Sequence, residues 1–102
     1  MSSAPPVVLA FAASDPTGGA GIQADLLTLA AMGCHPLSVV TGLTVQDTRG
    51  VEKLQAVDAA WVRAQAEKLL AETRVSVFKL GVLGSAANVA AVGAILSSHP
   101  EV

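Results

Sequence analysis

At 102 residues the chain is at most one small domain, and with 52% apolar and 14% charged residues it is not disordered and must bury much of itself. Its formal net charge is −2, and its six Lys and Arg residues are scattered from Arg49 to Lys79, which gives no footprint for nucleic acid or an anionic membrane. No apolar run approaches the roughly 18 residues of a membrane span.

No basic region precedes the first apolar run, and Asp15 follows that run directly, which argues against a signal peptide. Cys34 is the single cysteine, so no internal disulfide can form. The expected compartment is the cytoplasm.

The apolar run Val7–Ala13 predicts a buried strand. A glycine-containing loop follows, with Gly18, Gly19 and Gly21, and Pro16 fixing its start. A helix entered through such a loop is expected to present unpaired N–H groups, and with them a small polar binding surface, at the carboxyl end of a strand. The spacing G-G-x-G fits neither the dinucleotide fingerprint nor a Walker A loop. A plain strand-to-helix turn explains it equally well.

The first helix is predicted over Ala20–Met32, closed by Gly33, with Ile22, Leu26 and Leu29 as its apolar stripe. A second strand is expected over Leu37–Val45, and Val51–Val57 reads as a short extra strand. Asp58 is the predicted N-cap of a helix over Ala59–Glu72, whose inner face is Val62, Ala66 and Leu69. Arg63/Glu67 and Lys68/Glu72 are outer pairs at i, i+4. The last strand is expected over Val75–Leu83. Ser85 then caps a helix over Ala86–Ser97, with Val89, Val92 and Leu96 turned inward.

Alternating strands and helices, with strands apolar on both faces, predict an α/β fold of parallel βαβ units. After His99-Pro100 only Glu101 and Val102 remain, where a fourth strand should begin. Residues 1–102 are therefore read as the amino-terminal part of a larger, truncated domain.

Several side chains have two readings. Asp25 is either a carboxylate favoured near a helix N-terminus or an acceptor for a ligand. Gln46 sits at the carboxyl end of a strand, where open α/β sheets place ligands, and its amide offers a donor and an acceptor; it is otherwise a loop-starting residue. Thr44 packs in its strand or lends a hydroxyl. Asp15 and Thr17 read as turn formers and Trp61 as core or an interface anchor. Lys79 interrupts an apolar strand and calls for an ion-pair partner. Cys34, His35 and His99 form no metal spacing and no nucleophile–base constellation, and no metal site is expected.

Three segments carry a family resemblance: A-S-D-P-T-G-G-A-G-I-Q-A-D-L from Ala13 to Leu26, S-V-V-T-G-L-T-V-Q-D-T-R-G-V from Ser38 to Val51, and F-K-L-G-V-L from Phe78 to Leu83. In order and spacing they resemble the amino-terminal part of the hydroxymethylpyrimidine/phosphomethylpyrimidine kinases of thiamine biosynthesis. The resemblance implies a ribokinase-like fold, a mostly parallel sheet flanked by helices. It also implies transfer of the γ-phosphoryl of ATP, with Mg²⁺, to the hydroxymethyl group of an aminopyrimidine and then to its monophosphate. The residues it places against the pyrimidine are Ala13, Asp25, Thr44, Gln46 and Val82.

The catalytic, ATP-binding half of such kinases has no counterpart here, so the 102-residue chain alone is expected to be inactive and to contain no catalytic residue. Ala13 stands where a glycine is usual, and Val82 where methionine is common. Relatives of this type commonly form homodimers, which the apolar surplus permits. A pyridoxal-type kinase shares the implied fold and binds a similar flat ring. The reading from another class is a small ligand-binding module.

Overall fold

The computed structural model describes residues 4–102. Met1–Ser3, where the stretch read as lacking a signal peptide begins, lie outside the described residues. In chain order the elements are β1 (Val7–Ala13), α1 (Gly21–Ala31), β2 (His35–Asp47), β3 (Gly50–Ala56), α2 (Ala59–Glu72), β4 (Val77–Leu80) and α3 (Ala86–Ser97).

β1 is the spine. It pairs in parallel with β2 on one side and β4 on the other, while β3 runs antiparallel to β2, giving the order β3-β2-β1-β4. Side chains alternate across a strand, and both faces of β1 are covered. Leu9 and Phe11 join Val39 of β2 and pack against Val62 and Ala66 of α2 and Val92 and Ile95 of α3. Ala10 and Ala12, with Val40, pack against Ile22 and Leu26 of α1. That double burial explains the unbroken apolar run Val7–Ala13. The small residues lie on the α1 side, which lets that helix sit close to the sheet.

The helix boundaries follow their local chemistry. The Asp58 carboxylate accepts from Ala60 N at 2.8 Å, and Ser85 Oγ accepts from Asn88 N at 3.1 Å, so both predicted N-caps form. α1 ends in a paired-carbonyl stop at Gly33, whose φ of +85° suits glycine. Cys34 N donates to Leu29 O at 2.9 Å and Gly33 N to Ala30 O at 3.1 Å.

Four local expectations are corrected. β4 is shorter than Val75–Leu83, because only Val77–Leu80 sustain a full ladder with β1. Single bonds extend the pairing, Ser76 N to Val7 O at one end and Gly81 N to Phe11 O at the other. Val89 is exposed, and Asn88 replaces it on the inner face of α3 with Val92 and Ile95. Trp61 is 70% exposed on α2, so of its two readings, core or interface anchor, the core one is corrected. Of the two outer pairs, Arg63 and Glu67 approach to 3.5 Å, whereas Lys68 and Glu72 at the solvated end of α2 make no ion pair.

Asn88 is fully buried because the backbone around it needs a donor. Its Nδ2 donates to the carbonyls of Thr41 (3.2 Å), Val57 (3.0 Å) and Leu83 (2.9 Å). One amide thus ties β2, the β3–α2 connection and the β4–α3 connection together. Asn88→Ala in the complete protein should lower unfolding free energy by about 1–3 kcal/mol, the cost of orphaning buried acceptors. Chemical denaturation measures it; a change below about 0.5 kcal/mol would show that the three carbonyls find other donors.

Candidate ligand-binding site

A cavity of about 510 Å³ opens where β1, β2 and β4 end. Pockets for small molecules fall in this size range, and carboxyl ends of parallel strands are where open α/β sheets place them. Ala12, Ala13 and Val82 line it from the strand ends, Val51 and Leu54 from β3, and Ser14, Asp15 and Gly21 from the loop into α1. Its polar groups are few. Thr44, Gln46 and Lys79 are the ones contributed by the sheet.

Thr44 is anchored from both sides: its N–H donates to Ser14 Oγ at 3.3 Å and its hydroxyl to Ser14 O at 2.8 Å. The same hydroxyl accepts from Gln46 Nε2 at 2.6 Å. The donor end of the Gln46 amide is thereby occupied, and its Oε1 is left as a free acceptor at the cavity wall. Val82 holds the wall through its backbone. Its carbonyl accepts from Ala13 N at 3.1 Å and from Thr41 Oγ1 at 2.7 Å, while the side chain stays exposed.

The glycine loop satisfies its own N–H groups only as far as Ala20; α1 has no side-chain cap there, so the first-turn N–H groups from Gly21 onward stay unpaired, as expected of a helix entered through such a loop. Asp15 is buried, and its carboxylate accepts from Thr17 N and Ala20 N, each at 2.9 Å, and from the Thr17 hydroxyl. Gly18 N donates to Asp15 O, Gly19 N to Thr17 Oγ1, and Asp15 N to Gln23 Oε1. The Asp15 carboxylate thus fills the loop ahead of the helix, on Thr17 and Ala20. Asp15 and Thr17 are turn formers, as their residue types imply. Gly21 is required on two counts: φ is +66°, and a Cβ there would lie 2.6 Å from Ala13 O.

Four of the five residues singled out in the sequence, Ala13, Thr44, Gln46 and Val82, line the one cavity. Asp25 lies behind it. Its Oδ1 accepts from Lys79 Nζ at 2.8 Å, and it is Lys79 that reaches the cavity wall. Lys79 pairs in register with Ala10 and so points to the α1 side of the sheet, whereas Phe78 pairs with Leu9 on the other face. The lining residues not singled out are Ala12, Ser14, Ala20, Val51, Leu54 and Gly81. Ser14 adjoins the glycine loop in sequence, which is the one signal that could have found it.

The family profile described as phosphomethylpyrimidine kinase matches residues 15–102. The chain belongs to that family. The hydroxymethylpyrimidine/phosphomethylpyrimidine kinase of Streptomyces coelicolor is 44% identical over 93 residues, covering 91% of this chain and 35% of the relative. The crystal structure of phosphomethylpyrimidine kinase from Clostridium difficile 630 superposes with a TM-score of 0.87 at 32% identity, over 93% of this chain and 41% of that one. Pyridoxal kinase from Staphylococcus aureus, in complex with pyridoxal, superposes with a TM-score of 0.83 at 25% identity, over 94% of this chain and 36% of that one. The mostly parallel sheet flanked by helices is thus the ribokinase-like fold of these kinases. The chain spans between 13% and 35% of the length of the curated relatives it matches.

The hydrogen bonds to Asp15, those from Thr17 foremost, hold its carboxyl below the ordinary carboxylate range against the opposing effect of desolvation. A depressed folded-state value contributes stability above the ordinary carboxylate pKa, and that contribution disappears as pH falls through the depressed one. The loop should therefore be intact down to about pH 4 and loosen below it. Asp15→Asn in the complete protein should flatten the acid limb of its stability–pH curve. An unchanged acid limb would assign it to other groups.

Proposed function

We propose that this chain is the substrate-side part of a single ribokinase-like domain that phosphorylates hydroxymethylpyrimidine, and then its monophosphate, in thiamine biosynthesis. The observation that carries the reading is the cavity at the strand ends, with an apolar wall and the Gln46 acceptor held by Thr44, in a chain of the phosphomethylpyrimidine kinase family. A flat, uncharged aminopyrimidine matches such a site. Its ring finds apolar contact at Ala13 and Val82, and its exocyclic amine finds an acceptor in the Gln46 carbonyl oxygen.

ATP and Mg²⁺ belong to this reading, but the described residues do not fit them. The Asp15 carboxylate takes the Thr17 and Ala20 amides and sets a negative charge at the helix entry, and no group of three or more His, Cys, Asp or Glu residues gathers among the described residues to hold a metal. The nucleotide and metal are assigned to the remainder of the domain. Among the described residues no helix is long and apolar enough to cross a membrane. A cytoplasmic homodimer completes the proposal.

Phosphoryl transfer depends on positioning, so loss of one recognition contact should appear in the acceptor's kinetics and not in the nucleotide's. In the complete protein, Gln46→Ala should raise the KM for hydroxymethylpyrimidine about 5- to 150-fold, corresponding to about 1–3 kcal/mol, with the KM for ATP unchanged. Parallel losses for both substrates would point to misfolding instead. The superposition on a pyridoxal-bound kinase favours a second reading, that of a pyridoxal kinase. Thermal-shift titration of the complete protein with each compound separates the two: stabilisation by pyridoxal alone overturns the pyrimidine assignment. A coding sequence with no further strands or glycine-rich helix start after Val102 would instead support a small binding module.

A further inference from the structure

Lys79 is the one cation among the residues that line the cavity. Its Nζ lies 2.8 Å from Asp25 Oδ1, its sole protein acceptor among the described residues, so two of its three N–H bonds have no protein partner. The Asp25 side chain is only 13% exposed, does not line the cavity, and has a buried Oδ2 without a partner. The Lys79 side chain is 45% exposed. Lys79 is therefore the counter-charge of a largely buried carboxylate, and its half-exposed end still carries free N–H bonds at the cavity wall.

We propose that Lys79 is a substrate-binding residue that donates a hydrogen bond to a neutral lone-pair acceptor on the ring ligand, and that Asp25 is a positioning residue acting through Lys79. A free lysine is a mobile, strongly hydrated charge; the Asp25 carboxylate pins the ammonium so that its remaining N–H bonds stay at the wall. The charges also select the ligand. Asp25 balances Lys79, and the Asp15 carboxylate adds an unbalanced negative charge at the same cavity. This favours a neutral nitrogen heteroaromatic over an anionic group at this end. With the Gln46 Oε1 acceptor, the site offers one acceptor and one cationic donor, the complement of a ring that carries an amine and a basic nitrogen.

The inference rests on the kinase reading above, and a double-mutant cycle in the complete protein tests it. Lys79→Met and Asp25→Asn should each raise the KM for hydroxymethylpyrimidine about tenfold, with the KM for ATP within about twofold of wild type. The double variant should be no worse than Lys79→Met alone, within about twofold, because Asp25 has nothing left to position. Fold-changes that multiply in the double variant would show that Asp25 meets the ligand directly and overturn the proposal. An unchanged pyrimidine KM in Lys79→Met would also overturn it, as would an increase confined to the monophosphate, which would place Lys79 on the phosphate. Where Lys79→Met fails to fold, Lys79→Arg keeps the charge and the ion pair but alters donor geometry. It should raise the pyrimidine KM with an unchanged melting temperature; equal kinetics for Arg and Lys would count against the contact. Wild-type enzyme that phosphorylates pyridoxal but not hydroxymethylpyrimidine overturns the substrate assignment alone, and the cycle is then read with pyridoxal. Turnover of neither compound overturns both.

Discussion

The break in the β1–β2 ladder at Thr41 sets the position of everything at the carboxyl end of the sheet. Ala12 pairs with Val40 and Ala13 with Gly42, so Thr41 is an inserted residue with no partner across the ladder. It is fully buried, and its polar groups must therefore be satisfied elsewhere. Its carbonyl accepts from Val57 N and Asn88 Nδ2, and its hydroxyl donates to Val82 O. Past this point β2 pairs with β3 from Gly42 to Asp47, while Ser14 N to Gly42 O and the Ser14–Thr44 bonds still tie it to the end of β1. The cavity lies at this junction, lined by the ends of β1 and β2, by β3 and by the loop into α1. Its existence follows from backbone pairing, and side chains then decide its chemistry.

That chemistry divides by charge. A loop of three glycines ahead of a helix has the ingredients of an anion cradle, yet Asp15 fills it with the chain's own carboxylate. The bonds to that carboxylate hold the turn, and the negative charge disfavours a phosphate in the same place. The glycines serve geometry instead. Gly21 lets the chain turn against Ala13 O, and Gly81, where a Cβ would lie 2.9 Å from Ala12 Cβ, lets β4 press close to β1. A site walled this closely by main chain suits a flat, weakly polar ring, and the kinase reading proposed above assigns the nucleotide to groups beyond this part of the sheet.

The parts of the fold legible in the sequence were those governed by local rules. Strand β1, helices α2 and α3, both N-caps and the glycine stop of α1 each depend on residues within a few positions of one another. Gln46, Thr44, Ala13 and Val82 converge because each stands at the carboxyl end of a strand, a regularity of parallel sheets. The failures involve distant partners. The inward turn of Asn88 is favourable only because three carbonyls, one from β2 and two from separate connections, arrive around it, and periodicity alone favoured apolar Val89 on that face. Asp25 is set back from the cavity because the β1–β4 register aims Lys79 at it, and that register spans nearly seventy positions of chain. The self-satisfaction of the glycine loop was likewise hidden: an Asp two residues before a Thr signals a turn, but not that both carboxylate oxygens will be used.

Ala13 and Val82, the two departures from the pattern the chain resembles, act on the same wall with opposite sign. At position 13 a methyl replaces the usual hydrogen and adds volume beside the cavity; at position 82 valine is shorter than the common methionine and removes it. Neither change reaches the polar framework. Ala13 takes part through its N–H and Val82 through its carbonyl, and those two groups bond to each other at 3.1 Å whatever side chains they carry. The Thr41 hydroxyl holds the same carbonyl from the other side. The positions of Thr44, Gln46 and Lys79 are therefore uncoupled from the side chains of this wall. On the reading proposed above, these two positions adjust the fit of a flat ring and leave the class of ligand to the polar groups.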